Sequence, residues 1–382
     1  MKQKFIFLLI FVLYSIKLSA QSNSAEFKKT VKINGRIQYD YEFLKRDKIS
    51  EWFNGNEFRQ LQLSASGKIA PNIKYKIEAG FAHASIGFRD VYIKYDAGKW
   101  GNFAVGSVVE PTGLNIMTSS KYISFFERAM MTSLQNFKWG SGLHYENLGL
   151  LGGKLTLQMA LTNNGVNSQG FKDAHLEKGN NFVARLTSAP IFDKAKSLLL
   201  HIGVNYANRP AADIKFRPEN HMGEKYHYIF PEAQKRSDLG FELATNYKSL
   251  SLQGEFKQQK FSNKINKDYR VSGYYIMGSF FVTGEHRPYK HTVFGRVKPK
   301  KEFGNGGYGA FEFLARYSNM TVTKNVADVN PGLPKQVNNM SFGLNWYLTA
   351  HARIMYNYVI TNDDNKSLGN LYGHLIRFQM DF

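Results

Sequence analysis

The sequence predicts an all-β fold, a transmembrane antiparallel β-barrel of about 16 strands, and three observations carry the prediction. Segments of about 9 to 12 residues alternate in polarity between clusters of turn residues, as tilted strands crossing a bilayer require. Beyond the N-terminal apolar run, no stretch approaches the roughly 20 apolar residues of a transmembrane helix. Aromatic residues make up 15% of the chain and glycines number 33, while the mean hydropathy is only −0.38. That combination suits half-buried alternating strands better than helices.

At the N-terminus, Lys2 and Lys4 precede the apolar run Phe5 to Ile16, and Leu18-Ser19-Ala20 ends it in small residues. Residues 1–20 therefore read as a cleaved secretory signal peptide. Residues 21–382 read as one barrel domain, because no linker, low-complexity tract or charge block divides them. In the first strand Val31, Ile33, Ile37, Tyr39 and Tyr41 share one face, and Lys32, Asn34, Arg36, Gln38 and Asp40 the other. Strands begin near Val31, Glu57, Asn72, Gly87, Asn102, Leu134, Leu150, Asn180, Leu198, Asp238, Leu250, Tyr269, Gly307, Asn339, His351 and Leu371. Their number is even, as bacterial barrels require.

Short connections such as Ala70-Pro71, Ala97 to Lys99 and Thr349-Ala350 read as periplasmic turns. Phe43 to Asn56, Asn164 to Gly179 and Met320 to Val337 read as external loops. Three connections stand apart by length. Glu110 to Met131 and Asn208 to Ser237 fall on the outer side, whereas Gly284 to Lys301, basic and interrupted by prolines, falls on the periplasmic side. The last strand, Leu371 to Phe382, directs Met380, Phe378, Ile376, His374 and Tyr372 to lipid and Asp381, Gln379, Arg377 and Leu375 inward. Trp139, Trp346, Tyr347, Tyr356 and Tyr358 read as lipid-face or girdle aromatics.

Lys and Arg number 50 against 30 acids, a net charge of +20 that favours an anionic partner: a lipid or lipopolysaccharide head group, or a small anion. Export argues against nucleic acid. The absence of cysteine excludes disulfides, thiolate metal sites and cysteine nucleophiles. Ser141 and His144 lie three apart on an alternating strand, so they point to opposite faces and form no nucleophile and base pair. No hydrolase, zinc-protease or phosphate-loop motif is present, and the histidines lack metal-ligand spacing. Neither a cofactor, a metal nor catalysis is expected.

Five blocks in chain order resemble the phosphate-selective porins O and P and their relatives. They are Gly35-Arg36-Ile37-Gln38-Tyr39-Asp40; Glu110-Pro111-Thr112-Gly113-Leu114 with Ser119-Ser120 and Phe126-Glu127-Arg128; Phe281 to Tyr289; Gly309 to Ser318; and Phe342 to Tyr347. The resemblance covers essentially the whole mature chain. It implies a homotrimeric barrel of the bacterial outer membrane, with the third and fifth external loops and a late periplasmic turn folded into the lumen. It also implies an outer-membrane porin that lets small anions diffuse, with phosphate or polyphosphate as the leading substrate. A weakly selective general diffusion porin, or a plugged surface barrel for ligand binding or adhesion, are the alternatives.

An ion in a narrow pore loses hydration, which fixed charges and hydrogen-bond donors must replace. Alternation from strand to strand turns Lys32, Arg36, Lys74, Lys76, Lys94, Lys138, Arg185, Lys257, Arg316, Arg353 and Arg377 inward. The same rule turns Asp40, Glu78, Asp90, Asp96, Glu242, Glu255, Glu312 and Asp381 inward. The wall is thus only mildly cationic, and wall salt bridges compete with an ion-path role. The bias is stronger in the long connections, where Lys121 and Arg128, and Arg287, Lys290 and Arg296, are candidates for an anion-attracting constriction. With Arg36, Arg185, Arg316, Arg353 and Arg377 they form the expected site.

Overall fold

The computed structural model of the chain describes residues 27–49, 51–82, 86–135, 139–163, 180–263, 269–364 and 369–382. The leader at 1–20, the external loop at 164–179 and Lys138 lie outside them. Sixteen strands close the barrel. Its first half comprises β1 Lys32–Arg46, β2 Phe53–Ala70, β3 Ile73–Gly80, β4 Gly87–Asp96, β5 Asn102–Val109, β6 Trp139–Gly149, β7 Leu155–Asn163 and β8 Asn181–Asp193. It continues through β9 Leu198–Pro210, then β12 Ala233–Tyr247, β13 Leu250–Asn263, β14 Tyr269–Phe281, β17 Ala310–Val322, β18 Gln336–Tyr347, β19 Ala352–Asp363 and β20 Leu371–Asp381. The intervening β10 Ile214–Phe216 with β11 Tyr226–Tyr228, and β15 Tyr289–Lys290 with β16 Val293–Phe294, form two small hairpins off the wall. Every barrel strand pairs with its neighbours, and β1 pairs antiparallel with β20 from Arg36↔Asp381 to Arg46↔Leu371. Closure satisfies the backbone groups that lipid cannot.

The expected alternation is realised: Ile33, Phe43, Ile93, Phe378 and Met380 face outward, while Gln38, Asp40, Arg377 and Leu375 are buried on the lumen side. Three details differ from expectation. The strand expected near Leu134 begins at Trp139, because Met130–Gln135 forms a 3₁₀ turn whose apolar residues are buried inside the barrel. The strand expected at Leu150 begins at Leu155, after a tight turn at Leu150–Gly153 with left-handed backbone at Leu151. Tyr347 is not a girdle residue: its neighbour Trp346 faces outward and stacks on Phe311, so Tyr347 points inward and donates its hydroxyl to Glu312 at 2.7 Å.

The third external loop, the fifth external loop and the periplasmic connection after β14 all fold into the lumen. Their apolar residues form several clusters with inward wall residues. Met130 and Leu134 of the third loop pack with Ile214, Phe216, Tyr226, Tyr228 and Phe230 of the fifth, against Phe261, Tyr269 and Val271 of the wall. Phe125 and Met131 pack on Tyr275, Met277 and Leu314. Phe294 of the late connection joins Leu114, Leu199 and Ala244. Burial of these side chains, at about 25 cal/mol per Å² of apolar surface, holds the loops inside a barrel that would otherwise be a water-filled tube.

The seam shows how tightly closure is specified. Gly35 and Phe382 exchange backbone hydrogen bonds, and the Phe382 ring lies over Gly35, where a Cβ would stand 2.2 Å from the ring. Replacing Gly35 with valine therefore displaces the terminal ring and slows closure, which a time course of the heat-modifiable gel shift measures. Phe382→Ala in the same chain restores part of the rate if the clash is the cause. Equal rates for all three chains would refute this account of the seam.

Candidate functional site

Two β-bulges shape the lumen. Gln38 pairs with Gln60 and Tyr39 with Phe58, so Arg59 is an extra residue in β2. Ile77 pairs with Val91 and Ala79 with Phe88, so Arg89 and Asp90 of β4 together oppose Glu78. A bulge re-aims the side chains it carries, and here it turns two arginines inward that strict alternation would send to lipid. Arg59 donates from Nε to Glu127 of the third loop at 2.8 Å. The Arg89 guanidinium lies over the Trp139 ring, 5.0 Å from its centroid, and against the lumen side of Gly80.

The third loop brings Lys121, Glu127 and Arg128 to this wall. Arg36 of β1 donates to Gln60 at 2.7 Å and to the hydroxyl of Ser120. Arg128 donates to the carbonyls of Asn115 at 2.9 Å and Thr118 at 2.7 Å, bracing the loop on itself. Burial, with the charges of Arg59 and Arg36 nearby, brings the Arg128 guanidinium down to about 10, so it stays a cation at neutral pH. Burial pushes the Glu127 carboxyl up, but Arg59 and Arg377 outweigh it and hold it well below the ordinary carboxylate value. A 310 Å³ polar cavity beside the loop is lined by Arg36, Gln62, Lys76, Glu78 and Lys121, among others.

Accessibility inside the barrel locates the open side. The side chains of Arg59, Lys76, Lys94 and Lys121 retain 20 to 24% exposure, against 0 to 2% for Arg185, Arg316 and Arg377. Water therefore reaches the lumen face of β1–β6, and the loop filling seals the rest. Along the open face most cations pair with acids: Lys76 with Glu78 at 2.6 Å and Asp90 at 2.7 Å, Lys94 with Glu146 at 2.8 Å, and Lys74 with Asp96 at 3.1 Å. Arg36 and Arg89 have no carboxylate partner among the described residues.

The expected site residues divide accordingly. Arg36, Lys121 and Arg128 come together at the open face. Arg377, Arg316, Arg353 and Arg185 face inward as alternation requires, but they clamp the inserted segments rather than line open space. Arg377 bonds Asp40 through both Nε and Nη2 at 2.7 Å, donates to the Phe126 carbonyl at 2.6 Å and lies over the Phe126 ring. Arg316 pairs with Glu219 of the fifth loop and donates to the Glu127 carbonyl at 3.0 Å. Arg353 donates to the Ile123 carbonyl and to Gln379, each at 2.9 Å. Arg185 pairs with Glu242 at 2.7 Å and reaches Thr292 of the late connection at 3.0 Å. A buried guanidinium must have its donors satisfied, and loop carbonyls and acids supply the partners.

The late periplasmic connection splits in the same way. Arg287 is buried, donating to Gln253 at 2.9 Å with its guanidinium 3.7 Å from the Phe294 ring centroid. Arg296 pairs with Asp381 and lies over Tyr122, joining the connection to both the last strand and the third loop. Lys290 is exposed on a separate 480 Å³ cavity at the periplasmic mouth, with Lys154, Lys194 and His291.

Arg59 and Arg89 are the residues that alternation missed. A sign of each bulge is present in the sequence nonetheless. The outward series Phe58, Leu61, Leu63 and the outward series Phe88, Val91, Ile93, Tyr95 each contain one step of three where a strand requires two.

A family profile described as "Phosphate-selective porin O and P" matches residues 31–382. The chain is 26% identical to Porin O of Pseudomonas aeruginosa over 96% of its own length and 91% of the relative's. Among solved structures, the barrel is similar to the anion-selective porin of Comamonas acidovorans, with a TM-score of 0.60 and 13% identity over 93% of this chain and 100% of that one. It is also similar to the trimer form of OmpT of Vibrio cholerae, with a TM-score of 0.56 and 13% identity over 92% and 100% of the two chains. The profile spans all of the barrel strands, and on that match the chain belongs to the phosphate-selective porin O and P family of the bacterial outer membrane.

Proposed function

We propose that this outer-membrane porin selects small anions, phosphate or polyphosphate foremost, at a constriction formed by Arg36, Arg59 and Arg89 of the wall with Lys121 and Arg128 of the third loop. The observation that carries the reading is the pair Arg36 and Arg89, arginines on the open face without a carboxylate partner among the described residues. Neither forms an ion pair among the described residues, and Glu78, the acid that acts most on both, is itself paired with Lys76. Guanidinium groups present planar forks of donors that match phosphate oxygens, while Lys121, which shares Asp381 with Arg296, adds an ammonium point charge. Several moderate sites in series also suit conduction, since one tight site would trap the ion. Farther along, the paired lysines Lys74, Lys76 and Lys94 keep the path polar without deepening the well.

The family resemblance and the trimer form of a structural neighbour support a homotrimer, with lipid and lipopolysaccharide around its outer face. Residues 1–20 act as the cleaved export signal. Reconstitution in a planar bilayer tests the function: the reversal potential in a chloride gradient is anion-selective, and added phosphate reduces chloride current at millimolar or lower concentration. Cation selectivity would refute the anion assignment, and chloride current indifferent to phosphate would refute phosphate preference while leaving the channel.

A further inference from the structure

The two ends of the barrel carry different charge. At the end that holds Phe382 and the short turns, exposed lysines recur: Lys68 near the end of β2, and Lys99, Lys154, Lys194, Lys248 and Lys300 in the connections that follow. The acids described there are already engaged by backbone amides or a lysine. Asp96 is engaged by Lys74 and the Gly98 amide, Asp193 by the amides of Ala195 and Lys196, Glu302 by the Ala350 amide, and Glu285 by the Lys300 amide. Glu285 is buried and Glu302 half-buried, while the more open Asp96 and Asp193 are each held by backbone amides and a lysine. At the opposite end exposed lysines are interspersed with exposed acids such as Asp47, Asp213, Glu224 and Glu232, so the field there is mixed.

The lysines of the short-turn end lie beside outward apolar or aromatic side chains. Lys99 and Lys248 stand over Trp100 and Tyr247, each ammonium 5.3 Å from the ring centroid, and those rings are 70% and 59% exposed. Ile69, Leu151, Phe192 and Phe303 provide exposed apolar surface near the other lysines. Aromatic rings concentrate where a membrane meets water, and lysine stems lie along apolar surface while the ammonium reaches the polar layer. A collar of such pairs around the perimeter, rather than a patch projecting away from it, fits the head-group layer better than a soluble acidic protein.

We propose that this lysine and aromatic collar is a binding surface for anionic phospholipid in the periplasmic leaflet of the outer membrane. The phosphate of each head group meets the ammonium groups, and the acyl chains lie along the neighbouring apolar side chains. A lysine near an anionic membrane surface contributes on the order of fivefold in partitioning, and the effect declines within a Debye length as salt rises. Lys68, Lys99 and Lys248 line neither lumen cavity, so failure of this surface leaves the channel assignment standing.

The test uses the full barrel exchanged into nanodiscs of phosphatidylcholine with one-third phosphatidylglycerol, followed by native mass spectrometry of the lipids retained on release. The wild-type barrel retains phosphatidylglycerol severalfold above its share of the nanodisc. A variant with Lys68→Gln, Lys99→Gln and Lys248→Gln retains the two lipids in proportion to their supply, with its heat-modifiable mobility and conductance unchanged. A variant with Lys215→Gln, Lys225→Gln and Lys235→Gln at the opposite end keeps the wild-type preference. Proportional retention by the wild type overturns the proposal, as does a preference that survives the first variant or disappears in the second. Should the first variant fail to fold, exchanging the wild-type barrel in 1 M salt decides: an undiminished preference overturns the proposal.

Discussion

Replacing Arg36 and Arg89 together with serine lowers the chloride-over-potassium permeability ratio by about tenfold, a change of about 1.4 kcal/mol in relative barrier height. The magnitude is modest beside the roughly 4 kcal/mol of two unit charges 4 Å apart at an effective dielectric constant of 20. Mobile ions in the open part of the lumen screen the field, which accounts for the difference in scale. The pair is the informative choice because neither arginine has a carboxylate partner among the described residues. Their removal therefore leaves no uncompensated acid behind, and the loss reports directly on the pore potential. Arg59→Ser is less clean, because it strips a partner from Glu127 and turns that acid toward the path. Arg185→Ser is the control: its side chain is sealed against Glu242 and Thr292, so selectivity remains within about twofold of wild type. Reversal potentials in a potassium chloride gradient give all three ratios, and an unchanged ratio in the Arg36 and Arg89 double variant would remove these residues from the constriction.

Arg377→Met destabilises the barrel by about 3 to 5 kcal/mol and loosens the third loop. Arg377 joins β20 to Asp40 of β1 across the seam and simultaneously fixes the loop through the Phe126 carbonyl and Glu127. Methionine fills similar space but abandons a buried Asp40, and an unpaired buried charge costs far more than the net worth of the pair. Thermal melting in detergent falls by roughly 5 to 15 °C, and single-channel records show higher mean conductance with more open-state noise as the loop samples positions away from the wall. Arg377→Met with Asp40→Leu recovers most of the melting loss, since no buried charge is then left alone, but not the quiet open state, since Phe126 still lacks its donor. Melting and noise unchanged in the single variant would show that the apolar contacts of Phe126 with Leu44, Val359 and Leu375 suffice to hold the loop.

How far the site was legible depends on which physical rule each residue obeys. Arg36, Arg316, Arg353 and Arg377 were correctly turned inward because strand alternation is a local property of the backbone. Whether an inward cation meets an ion or a loop is not local. Arg316 finds its carboxylate at Glu219, 97 positions earlier in the chain, and Arg353 finds a carbonyl 230 positions away. The fifth loop, with six cations of its own between Asn208 and Ser237, is placed in the lumen by the family resemblance alone, since its charge does not distinguish a solvated from an inserted segment. Its alternating Ile214, Phe216, Tyr226 and Tyr228 build a hairpin whose apolar face completes a core inside the barrel. Arg59 and Arg89 mark the intermediate case: the three-residue steps at Phe58 to Leu61 and Phe88 to Val91 are visible, but a bulge shows its direction only when the partner strand is in place.

By itself, the sequence determined the barrel, its even strand count, its closing strand and the three long connections that demanded a place. These follow from side-chain period, turn chemistry and the length a strand needs to cross a bilayer, each readable within about a dozen residues. Only the tertiary structure decided which side of the lumen stays open, and therefore which cations face it. That choice depends on the inserted loops burying their apolar faces against β12–β20 and recruiting inward arginines as clamps. Contacts between residues so distant in the chain are set by how the closed barrel brings its walls together, and no local pattern encodes them.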